Sequence, residues 1–332
     1  MTEYPEGLHY GDPFKEQELY EAGTGLHPIH GYGVVTVSGP DRLSWLTTLS
    51  TKVVATDTEL LLLDANGRIE HAAGVVDDGE TTWLLTTGDP ASLTEFLESM
   101  KFMLRVEVAD RTGDFDAYST VAESAVTPGA TIVWNDPWPG EGARYFQGTH
   151  PGADLNRRVY LVPAGEEFAP KRPRVGELAA EATRIAAWRP LMRSDVDPRA
   201  MPAELDWIRS AVDLEKGCYK GQESIARIVN LGKPPRRFTF LQLDGSTESI
   251  PAPGDAIELD GRQVGIITSP ARHYEMGPIA LGLLKRNLDP AAALRTGDIA
   301  IAQELIVPVE GRSDHSPKER PGAGLRVLRR PE

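Results

Sequence analysis

In the first hundred residues, apolar positions alternate between β-branched or leucine runs and stripes at helical spacing. Asp12 at the N-cap and Pro13 at N1 predict a helix over Phe14 to Ala22, ended by Gly23. Val34 to Val37 reads as a short strand. Ser38-Gly39-Pro40-Asp41 then opens a helix whose Leu43, Leu46 and Leu49 fall three apart on one face. Leu60 to Leu63, a turn at Asp64-Ala65-Asn66-Gly67 and Ile69 to Val76 predict a hairpin, and Asp77-Asp78-Gly79 leads on into Thr82 to Thr86 to make a meander. Asp89-Pro90 starts a helix with Leu93, Phe96, Leu97 and Met100 as its buried stripe, and Arg105 to Val108 returns as a strand. Helices interspersed with hairpins argue for an α+β fold with antiparallel pairing rather than a doubly wound sheet.

From Asp116 to Val162 the pattern weakens; Asn135 to Gly140 is turn-rich, and Trp134 and Trp138 are expected to pack locally. Gly176 to Trp188 reads as a helix with Leu178, Ala182 and Ile185 on one face, stopped by Pro190. After Arg237 the texture changes to short β-rich runs, Phe238 to Leu243, Ala256 to Leu259, Gln263 to Thr268, Ile279 to Leu284 and Ile299 to Ile306, which predict a small all-β barrel. Gly311 to Glu332, poor in large apolar residues and rich in Pro, Gly and Arg, is expected to be a disordered tail. The organisation expected is a lead-in over 1–30, an α+β body over 31–236 in two subdomains meeting near 112–116, a barrel over 237–310 and the tail over 311–332.

Composition narrows the function. At 332 residues the chain has room for two or three packed units. A net charge of −14 argues against direct nucleic-acid binding, which needs a basic face. One cysteine cannot form an intrachain disulfide, the start lacks signal-peptide features and no run reaches the length of a membrane span, so the expectation is a cytoplasmic protein without a membrane partner. The seven histidines form no convincing ligand pair and there is no phosphate-binding glycine loop, so no metal site is expected.

The most informative stretch is Lys216-Gly217-Cys218-Tyr219-Lys220-Gly221-Gln222-Glu223, followed by Ser224-Ile225-Ala226-Arg227. Glycines four apart favour a tight loop over a helix or strand. Lys216 and Lys220 place the only cysteine in a positive field that favours thiolate, so it reads as a reactive or ligand-contacting thiol; a small buried hydrophobe is the other reading. Asp195 and Glu204, with Pro198 and Pro202 between them, are two carboxylates on a stiff loop, either solvated or able to receive paired N–H donors. From Lys216 to Arg237 six cations (Lys216, Lys220, Arg227, Lys233, Arg236, Arg237) face one acid (Glu223), a local balance of +5 that is either a solvated loop or a contact for an anionic ligand.

Lys216 to Arg227 fills every fixed position of the K-G-C-Y-x-G-Q-E-x-x-A-R signature and so resembles the YgfZ family, folate-binding relatives of the glycine-cleavage T-protein that support iron–sulfur proteins. T-proteins carry R-x-E-A-G, then an Asp, then P-x-E; Arg184, Asp195 and Pro202-Ala203-Glu204 recur here in similar order. The resemblance implies a T-protein-like fold with a C-terminal barrel and tetrahydrofolate in a central channel. It further implies Glu204 at the pterin edge, Asp195 and Arg184 shaping the pocket, Lys216, Tyr219, Gln222 and Arg227 as cofactor contacts, and Cys218 as the functional thiol. The implied role is an accessory factor for assembly or repair of iron–sulfur proteins, with folate and the cluster machinery as partners and an indirect effect on tRNA modification. Two positions depart: the Glu of R-x-E is Ala186, and Glu70-His71 stands where T-proteins carry an Asp pair. The alternative, a tetrahydrofolate-dependent aminomethyl transferase, would lean on Glu70 as acid or base.

Overall fold

The computed structural model describes residues 7–122, 127–146, 148–246 and 249–318. The chain opens with helix α1 (Pro13–Glu21), where Asp12 accepts from the Phe14 amide as the expected N-cap, and a short strand β1 (His27–Ile29). Then come β2 (Gly33–Ser38), α2 (Arg42–Leu49), β3 (Thr58–Leu63), β4 (Ile69–Asp77), β5 (Thr81–Thr86), α3 (Pro90–Met100) and β6 (Glu107–Asp110). These strands form an antiparallel sheet in the order β3-β4-β5-β2-β6. Leu60, Leu62, Val75, Leu84, Leu93 and Leu97 are buried between it and its helices. Two expected stripes sit differently. In α2 the buried residues are Arg42, Trp45 and Leu46 while Leu43 is exposed, and in α3 Met100 is exposed.

Strands β7 (Phe115–Thr120), β8 (Ile132–Asn135) and β9 (Arg158–Pro163) join β1 in a second sheet, ordered β1-β7-β9-β8. Gly74 of β4 lets the Trp134 ring lie against the first sheet, since a Cβ there would stand 2.4 Å from the indole. Helix α4 (Glu177–Ala186) buries Ala179, Ala182 and Ile185, whereas Leu178, expected on that face, is exposed one position away. Asp195 and Glu204 do not lie on a plain loop: Asp195 ends a one-turn helix α5 (Met192–Asp195), and Glu204 ends a 3-10 turn at Pro202–Glu204. A short α6 (Ile208–Ala211) and α7 (Gln222–Leu231) complete the helices among the described residues.

Strands β10 (Arg236–Leu243), β11 (Ala256–Leu259), β12 (Arg262–His273), β13 (Gly277–Lys285), β14 (Leu294–Thr296) and β15 (Ile299–Leu305) close into the expected barrel, in the order β10-β13-β12-β11-β14-β15. Alternate residues such as Leu241, Ile257, Ile267, Leu284 and Ile301 fill its interior. The segment expected to be disordered from Gly311 is docked as far as Lys318. Asp314 pairs with Arg144 at 3.0 Å and Ser316 donates to the Val229 carbonyl at 2.6 Å, so small polar residues anchor it without an apolar face. The remainder of that tail lies outside the described residues. No helix among the described residues is long and apolar enough to cross a membrane.

Candidate functional site

The signature loop is built against the β3–β4 turn. Gly221 has φ +85, and a Cβ there would stand 2.7 Å from the Asp64 carbonyl oxygen and 2.9 Å from Gly67 Cα. Gly67 has φ +81 and faces Ser224 Cβ in the same way, at 2.8 Å. Two glycines in the left-handed region therefore let two backbones touch, which no side chain would permit. Gln222 closes the loop, its Nε2 donating to the Lys216 carbonyl at 3.1 Å and its own amide to the Tyr219 carbonyl at 3.2 Å. Tyr219 is buried, and burial followed by the Asp213 charge pushes its hydroxyl up to about 12, so it stays neutral. Cys218 is exposed. A fixed loop thus turns its one soft nucleophile outward and its one aromatic ring inward.

The flanking cations have other partners. Lys216 Nζ lies 4.9 Å from the Tyr219 ring centroid, and partial burial lowers its pKa. Lys220 Nζ bonds Glu70 Oε2 at 3.2 Å and lies 5.8 Å from the Phe96 ring centroid. Glu70, the candidate acid or base of the transferase alternative, is engaged by that pair. His71 beside it is half-buried, and burial lowers its pKa. Arg227 points into solvent and pairs with Glu223 at 3.1 Å, one turn away. Arg236 and Arg237 are drawn into the body and the barrel, so the +5 stretch does not form a single basic surface.

The structure joins Arg184 to Asp195, but not to Glu204. Asp195 is buried and accepts from Arg184 Nη1 at 2.9 Å, the Leu191 amide at 2.9 Å, Thr268 Oγ1 at 2.5 Å and Ser269 Oγ at 2.8 Å. It ties α4 and α5 to the barrel. Glu204 is 1% exposed and receives the Arg236 amide at 2.9 Å, Arg236 Nε at 3.1 Å, Arg236 Nη2 at 2.9 Å and the Met201 amide at 3.1 Å. Arg236 also grips Asp197, at 2.6 Å. Burial opposes its charge, yet contacts with Glu204 and Asp197 hold it more firmly protonated than usual. Both oxygens of Glu204 are thus already occupied by neighbours within the fold, which places it as a structural anchor. Sequence reading missed the pairing because Arg236 lies 32 residues away, within a run of cations whose partners are set by tertiary structure.

Two cavities matter. One, about 400 Å³ and open to solvent, is lined by Trp188, Phe240, Glu21, Asp154, Met276 and Glu304. Ala186 also lines it, so the position that holds Glu in the T-protein motif does face this space but brings no carboxylate. Across Val121, Leu155 and Thr183 it adjoins a tighter space of about 40 Å³ walled by Arg157, Arg184 and Arg189. The second cavity is a surface groove of about 480 Å³ lined by Asp64, Arg68, Glu70, His71 and Asp197, beside the thiol loop. Trp188 and Phe240 were readable in the sequence only as a helix end and a barrel strand; no motif flagged either as cavity wall.

A third polar cluster lies apart. Asp206, Arg209, His150 and Tyr145 are buried together, with Arg209 Nη1 bonded to Asp206 Oδ2 at 3.1 Å and His150 Nε2 4.0 Å from the same oxygen. Burial, only partly offset by Arg209, pushes Asp206 up to about 7, and burial takes His150 down to about 3.

No family model matches the chain. Among curated proteins it is 28% identical over 246 residues to the mitochondrial iron–sulfur cluster assembly factor IBA57 homolog of Cryptococcus neoformans, covering 63% of this chain and 64% of that one. It is 36% identical over 84 residues to the tRNA-modifying protein YgfZ of Aliivibrio fischeri, covering 24% and 26%, and 33% identical over 113 residues to a putative chloroplast transferase of Arabidopsis thaliana, covering 34% and 25%. The matches therefore span between 25% and 64% of these relatives' own length. Among solved structures the glycine cleavage system aminomethyltransferase T of Bartonella henselae superposes with a TM-score of 0.67 at 17% identity over 92% of both chains, which establishes the fold. The chain thus resembles the IBA57 and YgfZ proteins in sequence over part of their length, and it has the fold of the glycine-cleavage aminomethyltransferase T.

Proposed function

We propose that the protein is a tetrahydrofolate-binding accessory factor for the assembly or repair of iron–sulfur proteins, acting through Cys218. The observation that carries this reading is the exposed thiol on a loop locked to the β3–β4 turn by Gly67 and Gly221. A cluster needs about four ligands, mostly thiolates, so a lone cysteine contacts one only in company with a partner's ligands. The names of the IBA57 and YgfZ relatives support a cluster-related role, with any effect on tRNA modification passing through cluster enzymes.

The cavity beside Trp188 and Phe240 is the place proposed for the folate. Its volume of about 400 Å³ falls within the range of small-molecule sites, and Trp188 and Phe240 give it aromatic walls against which a pterin can pack. Asp154 and Glu304 are carboxylates on its lining that can accept from the pterin edge. Arg184 and Asp195 hold the wall and Glu204 the neighbouring turn; Lys216, Tyr219, Gln222 and Arg227 serve the thiol loop. Calorimetric titration with tetrahydrofolate tests the placement. Saturable binding to the wild type, lost in an Ala186→Phe variant that fills the cavity, is the expected result; equal binding to both removes folate from this space.

A further inference from the structure

The loop from α3 to β6 presents Met100, Phe102, Met103 and Leu104 to solvent, with Phe102 90% and Met103 83% exposed. Single exposed apolar residues are ordinary, but four within five positions are not. The backbone is also held in an uncommon state to achieve this, since Phe102 has φ +42, where a non-glycine residue is strained. The knuckle is anchored at both ends. Lys101 pairs with Glu98 at 3.3 Å, and Arg105 clasps Asp41 at 2.7 Å, beside the exposed Leu43.

We propose that this knuckle docks a partner protein whose surface offers an apolar pocket rimmed by Lys and Arg, and so brings that partner to Cys218. The choice of partner follows from charge. Between residues 95 and 110, four acids (Glu95, Glu98, Glu107, Asp110) stand against two cations (Lys101, Arg105), a balance of −2 on a chain of −14. An anionic lipid surface is repelled by such a rim, and a two-fold contact with a second copy would set acid against acid. A basic partner meets both the apolar anchors and the rim.

Position ties the knuckle to the thiol. Met100 is one helical turn beyond Phe96 on the same face of α3, a rise of about 6 Å. Lys220 Nζ lies 5.8 Å from the Phe96 ring centroid, and Cys218 is two residues before Lys220 in the same loop. The knuckle and the Cys218 loop are thus both set against the same face of α3. The functional half of this inference rests on Cys218 being the acting thiol.

The test places the photo-crosslinking residue benzoylphenylalanine at position 102 of the full chain, in cells lacking the natural copy. Irradiation is expected to give an adduct with a different protein, reduced about tenfold by Glu95→Lys with Glu98→Lys. Phe102→Glu with Met103→Glu is expected to lower rescue of cluster-enzyme activity at least tenfold while melting temperature and native alkylation of Cys218 match the wild type. Phe102→Gly guards against misfolding: it relieves the positive φ, so it should melt at or above the wild-type temperature and still lose rescue. A self-adduct, a lipid adduct, an adduct indifferent to the charge reversals, or full rescue by either knuckle variant overturns the proposal. Cys218→Ser separates the two ideas: it should keep the adduct and lose rescue. If Cys218→Ser rescues while the knuckle variants fail, the docking face stands and the thiol reading falls; the reverse pattern overturns the docking face alone.

Discussion

The segment from Arg184 to Glu204 and the loop from Lys216 to Arg227 are both rich in polar residues, and the fold uses them in opposite ways. In the first, each candidate side chain is consumed by protein. Asp195 receives four donors and Glu204 is held by Arg236 through three bonds, so neither has capacity left for a ligand. In the second, the backbone is what is fixed, by close contacts at Gly67 and Gly221, while Cys218 and Arg227 reach outward. Buried polar groups must be matched internally because leaving one unpaired costs about 1–3 kcal/mol. A group meant to meet a changing partner has to stay on the surface and rely on backbone geometry for position.

That contrast can be broken most forcefully at Arg236. Arg236→Ala leaves Glu204 as a buried charge without its partner and should cost about 3–5 kcal/mol in chemical denaturation. Stability within about 0.5 kcal/mol of wild type would mean that the Glu204 site is open rather than saturated. Next in size is Gly221→Ala, which adds a Cβ 2.7 Å from the Asp64 carbonyl at φ +85. A loss of about 1–3 kcal/mol is expected, with hydrogen exchange rising in both the loop and the β3–β4 turn; exchange rising in the loop alone would refute their docking.

The pH dependence separates a buried polar cluster from both regions. Burial pushes Asp206 up to about 7 in the fold, well above the usual carboxylate range, so its protonated form favours the folded state. That contribution is full below about 4 and is lost as pH rises through about 7. His150, held neutral with a value near 3, acts in the other direction, stability falling as pH drops below about 6.5. Asp206→Asn should therefore remove the decline between pH 4 and 7 and expose the rise due to His150. An unchanged stability profile would show that Asp206 is ionised in the fold. The smallest effect is expected at Lys220: its pair with Glu70 is exposed, so Lys220→Ala should change stability by less than about 1 kcal/mol.

The sequence was most legible where chemistry is local. Asp12-Pro13 and Asp89-Pro90 cap and start α1 and α3 as expected, with Asp89 accepting from the Ala91 amide, and the Asp64–Gly67 turn joins β3 to β4. The spaced β-rich runs after Arg237 close into a barrel, although its short β14 went unread. The second sheet was not legible because β7, β8 and β9 are joined by long connections that leave no hairpin signal. Helix α7 begins directly after Gly221, where the glycines argued only for a loop; its buried Ile225, Ile228 and Val229 carry a helical spacing that was there to be found. For the site, the signature fixed which residues share a loop. It could not say that Lys220 turns to Glu70 or that Arg236 fills Glu204, since both are choices among partners distant in sequence.

The proposed function turns on the exposed thiol. Cys218→Ser replaces sulfur by a near-isosteric oxygen that is neither a thiolate nor a soft ligand at neutral pH. Because Cys218 is exposed, the variant should melt with the wild type and bind tetrahydrofolate equally well. Expressed in cells lacking the natural copy, it should fail to restore cluster-enzyme activity that the wild type restores. Restoration to the wild-type level by the folded serine variant would contradict the account and leave the loop with a structural role.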